Sequence, residues 1–320
     1  MKDIAIVVHA GAGPDSPFIQ KHLAEHELGI SKALDAGYAV LERGGSAVEA
    51  VAAAVCSMED YTYFNAGRGS ALNAEGKVQM CTSMMEGKDL SSGAAAIVTN
   101  VKNPILLAKT LLEDATCLYL GDMYALERAK EMNLDIEPDA YFITEHQYDV
   151  FMEKRRHHPH EKKSEIFRTY ERNELKDKKR REEKYHGTVG AVAVDKNGNV
   201  AAGTSTGGTE YSIPGRIGDS SMVGIGSYAD NRTAAISSTG DGEYLIKGVI
   251  CHSISAIIEH TGCSVQEACN NIIHIKNKDT KGDMGVISVD AKGNIGIAFN
   301  AERMPRGWKT PEEKTVLIYK

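Results

Sequence analysis

Apolar and polar positions follow two different periods along this chain, and the changes of period mark its elements. A short apolar run, Ile4–Val8, stops at His9-Ala10-Gly11-Ala12-Gly13-Pro14, which reads as a strand emptying into a tight turn. Leu23, Leu28, Ile30, Leu34, Tyr38 and Leu41 recur near helical spacing and predict one helix over 19–43, closed by Gly44-Gly45. Ser46 with Glu49 three residues on is a capping box opening a second helix, Ala47–Met58, whose Ala and Val content suits close packing on a sheet. Residues 59–73 read as a loop. Strands are predicted at Lys77–Met85, Gly93–Thr99 and Cys117–Leu120. Helices are predicted at Pro104–Asp114, with Pro in the first turn, and at Asp122–Met132.

From about residue 145 the periodicity lapses. Residues 153–184 carry 13 Lys and Arg against 8 Asp and Glu, with His157-His158-Pro159-His160 among them. Such a stretch holds too few apolar groups to offset the entropy of ordering it, so a mobile surface linker is expected. Its last part, Ser164–Lys184, is a candidate solvated helix of mixed charge. A basic arm for an acidic partner and a metal site built on the histidines compete with this reading. No acidic or Cys ligand frames those histidines at a useful spacing.

At His186 the polarity ends abruptly. Thr188–Asp195 and Val200–Thr204 alternate around Asp195-Lys196-Asn197-Gly198, a hairpin with an Asn-Gly turn. Met222–Tyr228 and Thr233–Ser238 read as strands, and Glu243–His260 and Ser264–Ile275 as helices parted by Gly262. Gly285–Asp290 and Asn294–Phe299 make a second hairpin, and Thr315–Tyr319 a closing strand. This clustering predicts an α+β fold with two stacked, largely antiparallel sheets and helices outside.

Composition narrows the field. With 320 residues, 42% hydrophobic and 25% charged, the chain builds one large domain or two modest ones. A net charge of −7 argues against a general nucleic-acid binder. Ile4–Val8 is too short for a secretory h-region, and no run approaches the ~20 apolar residues of a membrane span, so no membrane association is expected. Cys56, Cys81, Cys117, Cys251, Cys263 and Cys269 show no CxxC pair and no metal spacing. They read as free thiols, mostly buried, in a reducing cytoplasm. The turn at 9–14 lacks the Walker Lys-Ser/Thr and the GxGxxG spacing, which argues against a phosphate cradle.

The chemistry centres on the Gly187-Thr188 bond, which joins the charge-dense segment to an apolar strand. A Thr exposed there as a new N-terminus carries its own base, an α-amino group of pKa ~7.7–8.0, so one residue supplies nucleophile and base. Downstream stand Thr204-Ser205-Thr206-Gly207-Gly208, Pro214-Gly215-Arg216-Ile217-Gly218-Asp219-Ser220 and Ser238-Thr239-Gly240-Asp241-Gly242-Glu243. Together with His186-Gly187-Thr188-Val189-Gly190, in this order, they resemble the isoaspartyl peptidase/plant-type L-asparaginase family of N-terminal nucleophile hydrolases. The resemblance extends to Val7-Val8-His9-Ala10-Gly11-Ala12-Gly13, Phe64-Asn65-Ala66-Gly67-Arg68-Gly69-Ser70 and Asn103-Pro104-Ile105. It covers nearly the whole chain except about 145–184.

The resemblance implies a single domain over 1–320 with a four-layer αββα sandwich, cut by the chain itself into 1–187 and 188–320. It makes Thr188 the nucleophile and Thr206 the hydroxyl that tunes it. Thr239 and the Gly240 main chain become the oxyanion site. Arg216 would grip the substrate α-carboxylate, Asp219 the α-ammonium, and Gly242 would add a main-chain contact. Arg216 and Asp219 could instead be a local surface ion pair. Asn65 would help hold the nucleophile, and the carbonyls of Met58, Glu59, Tyr61, Phe64, Ala66 and Arg68 would wrap a structural sodium ion. No other cofactor is implied.

The implied substrates are L-asparagine and β-aspartyl dipeptides, and the implied assembly is a homodimer of αβ units. Two departures stand out: Ala10 replaces the Gly of the usual His-Gly-Gly turn, and Cys81 replaces an Asp. They leave room for a non-catalytic protein of this fold that binds an amino acid or an acidic partner. A glycosylasparaginase-like amidase is a further alternative. That class and the threonine aspartases carry Asp before the nucleophilic Thr, and Gly187 speaks against both.

Overall fold

A computed structural model describes residues 4–157 and 187–320. In chain order the helices are α1 (Pro17–Lys21), α2 (Leu23–Glu42), α3 (Ala47–Glu59), α4 (Pro104–Asp114), α5 (Met123–Glu131), α6 (Asp139–Phe142), α7 (Glu145–His157), α8 (Gly242–Gly248), α9 (Ile250–Thr261) and α10 (Val265–Asn270). The strands are β1 (Ala5–Ala10), β2 (Met80–Glu86), β3 (Ser92–Val98), β4 (Tyr119–Gly121), β5 (Val189–Val194), β6 (Val200–Thr206), β7 (Ser227–Ala229), β8 (Ala235–Gly240), β9 (Met284–Val289), β10 (Ile295–Phe299), β11 (Arg303–Lys309) and β12 (Lys314–Tyr319). The content is mixed α and β, in two sheets. One has eight strands, ordered β12-β11-β1-β5-β6-β2-β3-β4, and the other has four, ordered β10-β9-β8-β7. Of these pairings only β3 with β4 is parallel.

The β5–β6 hairpin is the centre of the large sheet. It pairs with β1 on one side and β2 on the other, so strands from before and after the charged segment share one sheet. Every residue of β1, β5 and β6 is buried, because these strands are covered on both faces. On one face Val8, Val189 and Ala191 meet Leu34, Val51 and Val55 of α2 and α3. The Ala-rich sequence of α3 lets it lie close to β5 and β6. On the other face Val7, Val192, Val194 and Val200 meet Ile287 and Val289 of the four-stranded sheet. Beyond that sheet, Ile236, Met284 and Val286 pack on Ile250, Ile254 and Ile272.

Several elements differ from the sequence expectation. The helix over 19–43 is two helices, broken at His22 (φ −119°, ψ 35°). The helix over 243–260 is likewise two, broken where Val249 takes a left-handed φ of 46°. Helix α10 runs on as a π turn, Asn271–Lys276. Of the strand expected at 222–228 only Ser227–Ala229 forms, after a 3-10 turn at Asp219–Ser221. Strand β11 was not anticipated. Its Arg-Met-Pro-Arg-Gly-Trp-Lys sequence looks unlike a central strand, yet it pairs with both β1 and β12. Pro305 is tolerated because the β11–β12 register shifts between Arg303 and Arg306.

Residues 153–157, expected to begin the charged linker, belong to α7. That helix docks through Phe151 against Tyr211 and through a Lys154–Glu210 ion pair of 2.9 Å. The rest of the expected linker, with His158 and His160, lies outside the described residues. Among the described residues no helix is long and apolar enough to cross a membrane, and no group of three or more His, Cys, Asp or Glu is placed to hold a metal.

Candidate active site

The layer between the sheets changes character along its length. Read in register, the inward positions run Ala5-Val7-His9 on β1, Val194-Val192-Gly190 on β5 and then Thr188, and Val200-Ala202-Thr204-Thr206 on β6. On β2 and β8 they run Met85-Ser83-Cys81 and Ala235-Ser237-Thr239. One end is therefore packed with aliphatic groups, and the other is lined with hydroxyls. Buried hydroxyls require partners. Here Ser83 Oγ donates to the Ser220 carbonyl at 2.7 Å and lies 2.8 Å from Ser227 Oγ.

Thr188 sits at the polar end, buried, immediately before β5. The β5–β6 register pairs Val189 with Ser205 and, extended by one residue, sets Thr188 across from Thr206. Thr206 Oγ1 accepts the Gly208 N–H at 3.1 Å. His9 Nδ1 donates to the Thr188 carbonyl at 3.0 Å, and His9 Nε2 lies 2.8 Å from Ser237 Oγ. Gly190 explains the close approach. A Cβ there would fall 2.1 Å from Ser237 Oγ and 2.4 Å from His9 Nε2.

Burial pulls the His9 pKa down to about 3, partly opposed by the bond to Thr188. The ring is therefore neutral near pH 7, and Nε2 accepts from the serine hydroxyl. Because the unfolded His titrates near 6.5 and the folded one near 3, stability is full above 6.5 and declines as pH falls through that window. His9→Gln is expected to flatten the decline by at most ~1.4 kcal/mol per pH unit, measured by denaturation between pH 7 and 3.5. An unchanged slope would exclude a buried neutral His9.

The Ala10 departure carries no strain. Ala10 is an ordinary β1 residue paired with Val189, and the positive φ of the turn falls on Gly11, at 100°. Cys81 lies opposite Thr206 as a small buried thiol. All six cysteines are free, three of them buried.

Thr239 Oγ1 accepts the Ala12 N–H at 3.2 Å, which leaves its own proton to donate elsewhere. Gly240 has φ 133°, and a Cβ there would meet the Asp283 carbonyl at 2.1 Å. Arg216, Asp219 and Gly242 converge. A Cβ on Gly242 would lie 2.7 Å from Asp219 Oδ1 and 3.2 Å from Arg216 Nη2. Arg216 pairs with Glu243, whose Oε1 accepts from Nε at 2.8 Å and lies 2.7 Å from Nη2.

Asn65 braces the turn after Thr206. Its amide donates to the Gly208 carbonyl at 2.7 Å, its Oδ1 accepts the Ala71 N–H at 2.7 Å, and its own carbonyl accepts the Gly207 N–H at 3.0 Å. The surrounding loop has the chemistry of a cation cradle. A Cβ on Gly67 or Gly69 would fall 2.5 Å from the Glu59 carbonyl oxygen or 2.6 Å from that of Phe64, so bare Cα atoms keep these oxygens clear. The Glu59 and Tyr61 carbonyls accept the Arg68 and Phe64 N–H and have a second lone pair each, while the Met58 carbonyl accepts from Asp60 and Tyr61. Carbonyl oxygens are the hard donors a hard cation takes, and the residues fit.

Glu59 is expected from sequence to contribute only its carbonyl, yet its side chain is fully buried beneath β6. Burial pushes its pKa up to about 8, opposed by the nearby Ser205 hydroxyl and by the Ile105 N–H. The Ile105 N–H reaches Oε1 at 3.0 Å. Glu59→Ala should lower unfolding free energy by ~1–3 kcal/mol by stranding that buried N–H, while Glu59→Gln should stay near wild type. Denaturant midpoints at pH 7 check this, and equal losses in both variants would contradict it.

Residues 2–318 match the family described as Asparaginase. The chain is 38% identical over 305 residues to an isoaspartyl peptidase/L-asparaginase of Macaca fascicularis, spanning 95% of this chain and 92% of that protein. It is 37% identical over 305 residues to the isoaspartyl peptidase/L-asparaginase of Homo sapiens, with the same coverage. It is 34% identical over 313 residues to an isoaspartyl peptidase of Salmonella typhimurium, spanning 96% of both chains. A buried, hydroxyl-lined end between two sheets, with an Arg beside it, suits a hydrolase. The chain belongs to the asparaginase family, whose members are such enzymes.

Proposed function

We propose that this chain is an autoprocessing threonine amidohydrolase that cuts its own Gly187-Thr188 bond and then hydrolyses β-aspartyl dipeptides and L-asparagine. The observation that carries the reading is the placement of Thr188. It is buried at the hydroxyl-lined end of the layer, with its carbonyl fixed by His9 and Thr206 set across from it. In the first step Thr188 Oγ attacks the Gly187 carbonyl, the amide becomes an ester, and water hydrolyses it. The freed α-amino group then serves as base for Oγ. In turnover Oγ attacks the side-chain amide carbonyl of the substrate. Ammonia or an amino acid leaves, and water clears the β-aspartyl ester.

Thr206 hydrogen-bonds the nucleophile, while Thr239 and the Gly240 main chain receive the oxyanion. Arg216 takes the α-carboxylate as a fork, and Asp219 with the Gly242 main chain takes the α-ammonium. The carbonyls of Met58, Glu59, Tyr61, Phe64, Ala66 and Arg68 would hold a sodium ion, which would stiffen the loop that places Asn65. The succession of helices, large sheet, small sheet and helices fits a four-layer αββα sandwich of the N-terminal nucleophile type. We read it as one domain whose αβ units pair as a homodimer in a reducing cytoplasm.

An intact mass under denaturing conditions, with ammonia release from L-asparagine, tests the proposal. Fragments 1–187 and 188–320 together with ammonia release are expected. A folded chain that stays uncut and inert would overturn it.

A further inference from the structure

We infer that Glu243 is a positioning residue that holds the Arg216 guanidinium in place for the substrate carboxylate; this rests on the function proposed above. One oxygen of Glu243 engages both Nε and Nη2 of Arg216, from 27 positions along the chain. Two contacts to one oxygen hold the Nε–Nη2 edge of the guanidinium against Glu243. Three glycines leave room around the remaining nitrogens, beside Asp219. An added Cβ would lie 3.4 Å from Nη1 at Gly218, 4.0 Å from Nη1 at Gly208, and 3.2 Å from Nη2 at Gly242. The guanidinium thus lies between the turn that follows Thr206 and the turn that follows Gly240. A long side chain left to itself has many rotamers, and ordering it during binding costs affinity. Glu243 makes that ordering part of the folded state.

A second effect of Glu243 opposes this one. As a counter-charge it weakens the attraction of Arg216 for any other carboxylate. The two effects predict opposite signs when Glu243 is removed. Loss of positioning raises KM, whereas loss of the counter-charge lowers it. The geometry, with both contacts on one oxygen and Arg216 largely buried, points to positioning as the larger effect.

The test compares Glu243→Ala and Glu243→Gln with wild type, using L-asparagine and β-alaninamide, its analogue without the α-carboxylate. Glu243→Ala should raise KM for L-asparagine about tenfold with kcat nearly unchanged. It should leave KM for β-alaninamide unmoved and should self-cleave normally, which reports an intact fold. Glu243→Gln keeps the accepting oxygen and should recover most of the affinity. A KM for L-asparagine that falls or stays constant in Glu243→Ala overturns the inference, and so does an equal KM change for both substrates. A wild-type chain that neither cuts itself nor hydrolyses L-asparagine would instead remove the underlying function. Full activity in Arg216→Ala would remove the fork and Glu243's role with it.

Discussion

Thr188→Ala is expected to yield an uncut chain of 320 residues with amidase activity lowered at least ~10⁴-fold, because one hydroxyl serves both reactions. The fold should survive. The contact that anchors this residue is its carbonyl, which accepts from His9, and Ala keeps that carbonyl. Removing one Oγ and one methyl from a buried site should cost ~1–2 kcal/mol. Thr188→Ser keeps the hydroxyl and should still be cut. Intact mass and ammonia release read the two reactions separately. Continued scission of the Ala variant at the same bond would move the nucleophile elsewhere, with Thr206 the nearest hydroxyl in register.

Arg216→Ala should separate the two reactions. Scission of Gly187-Thr188 involves no α-carboxylate, so fragments should form as in wild type. Turnover of L-asparagine should fall ~10²–10³-fold in kcat/KM, the size expected when a charge-assisted fork to a carboxylate is lost from a sheltered site. Glu243 would lose its partner, but it is more than a third exposed, so the stability cost should be small. Arg216→Lys should recover little, since an ammonium cannot reproduce two parallel N–H donors. Full activity in the Ala variant would sink the carboxylate assignment while leaving Thr188 untouched.

The parts of the site that were legible from sequence are those carried by short-range pattern. The charge-dense run ending at His186, followed by Val-Gly-Ala-Val-Ala-Val, located a buried strand whose first neighbour is Thr188. The Asn-Gly turn located the β5–β6 hairpin, and the hairpin set Thr206 opposite Thr188. What was hidden depended on contacts distant in sequence. Glu243 opens a predicted helix, and its bond to Arg216 exists because two turns meet in space. Glu59 ends a helix and would ordinarily be solvated, but α4 and β6 close over it. Strand β11 escaped because Pro305 and Gly307 argue against a central strand unless a register shift absorbs them. The break at His22 has no helix-breaking residue to announce it, whereas the break at Val249 follows Gly248.

The place of the β5–β6 hairpin has a consequence for the order of events. Its two strands lie between β1 and β2, so the N-terminal portion alone would have its sheet split at the middle, and the C-terminal portion would lack both neighbours. If the proposed scission occurs, the Gly187-Thr188 bond reaches its reactive surroundings only after chain segments on either side of it have paired. On the proposed mechanism, folding would then have to precede scission. A Thr N-terminus supplied from outside would find no vacant slot in a sheet already closed. The uncut chain would, in this sense, be the template on which its own two fragments are assembled.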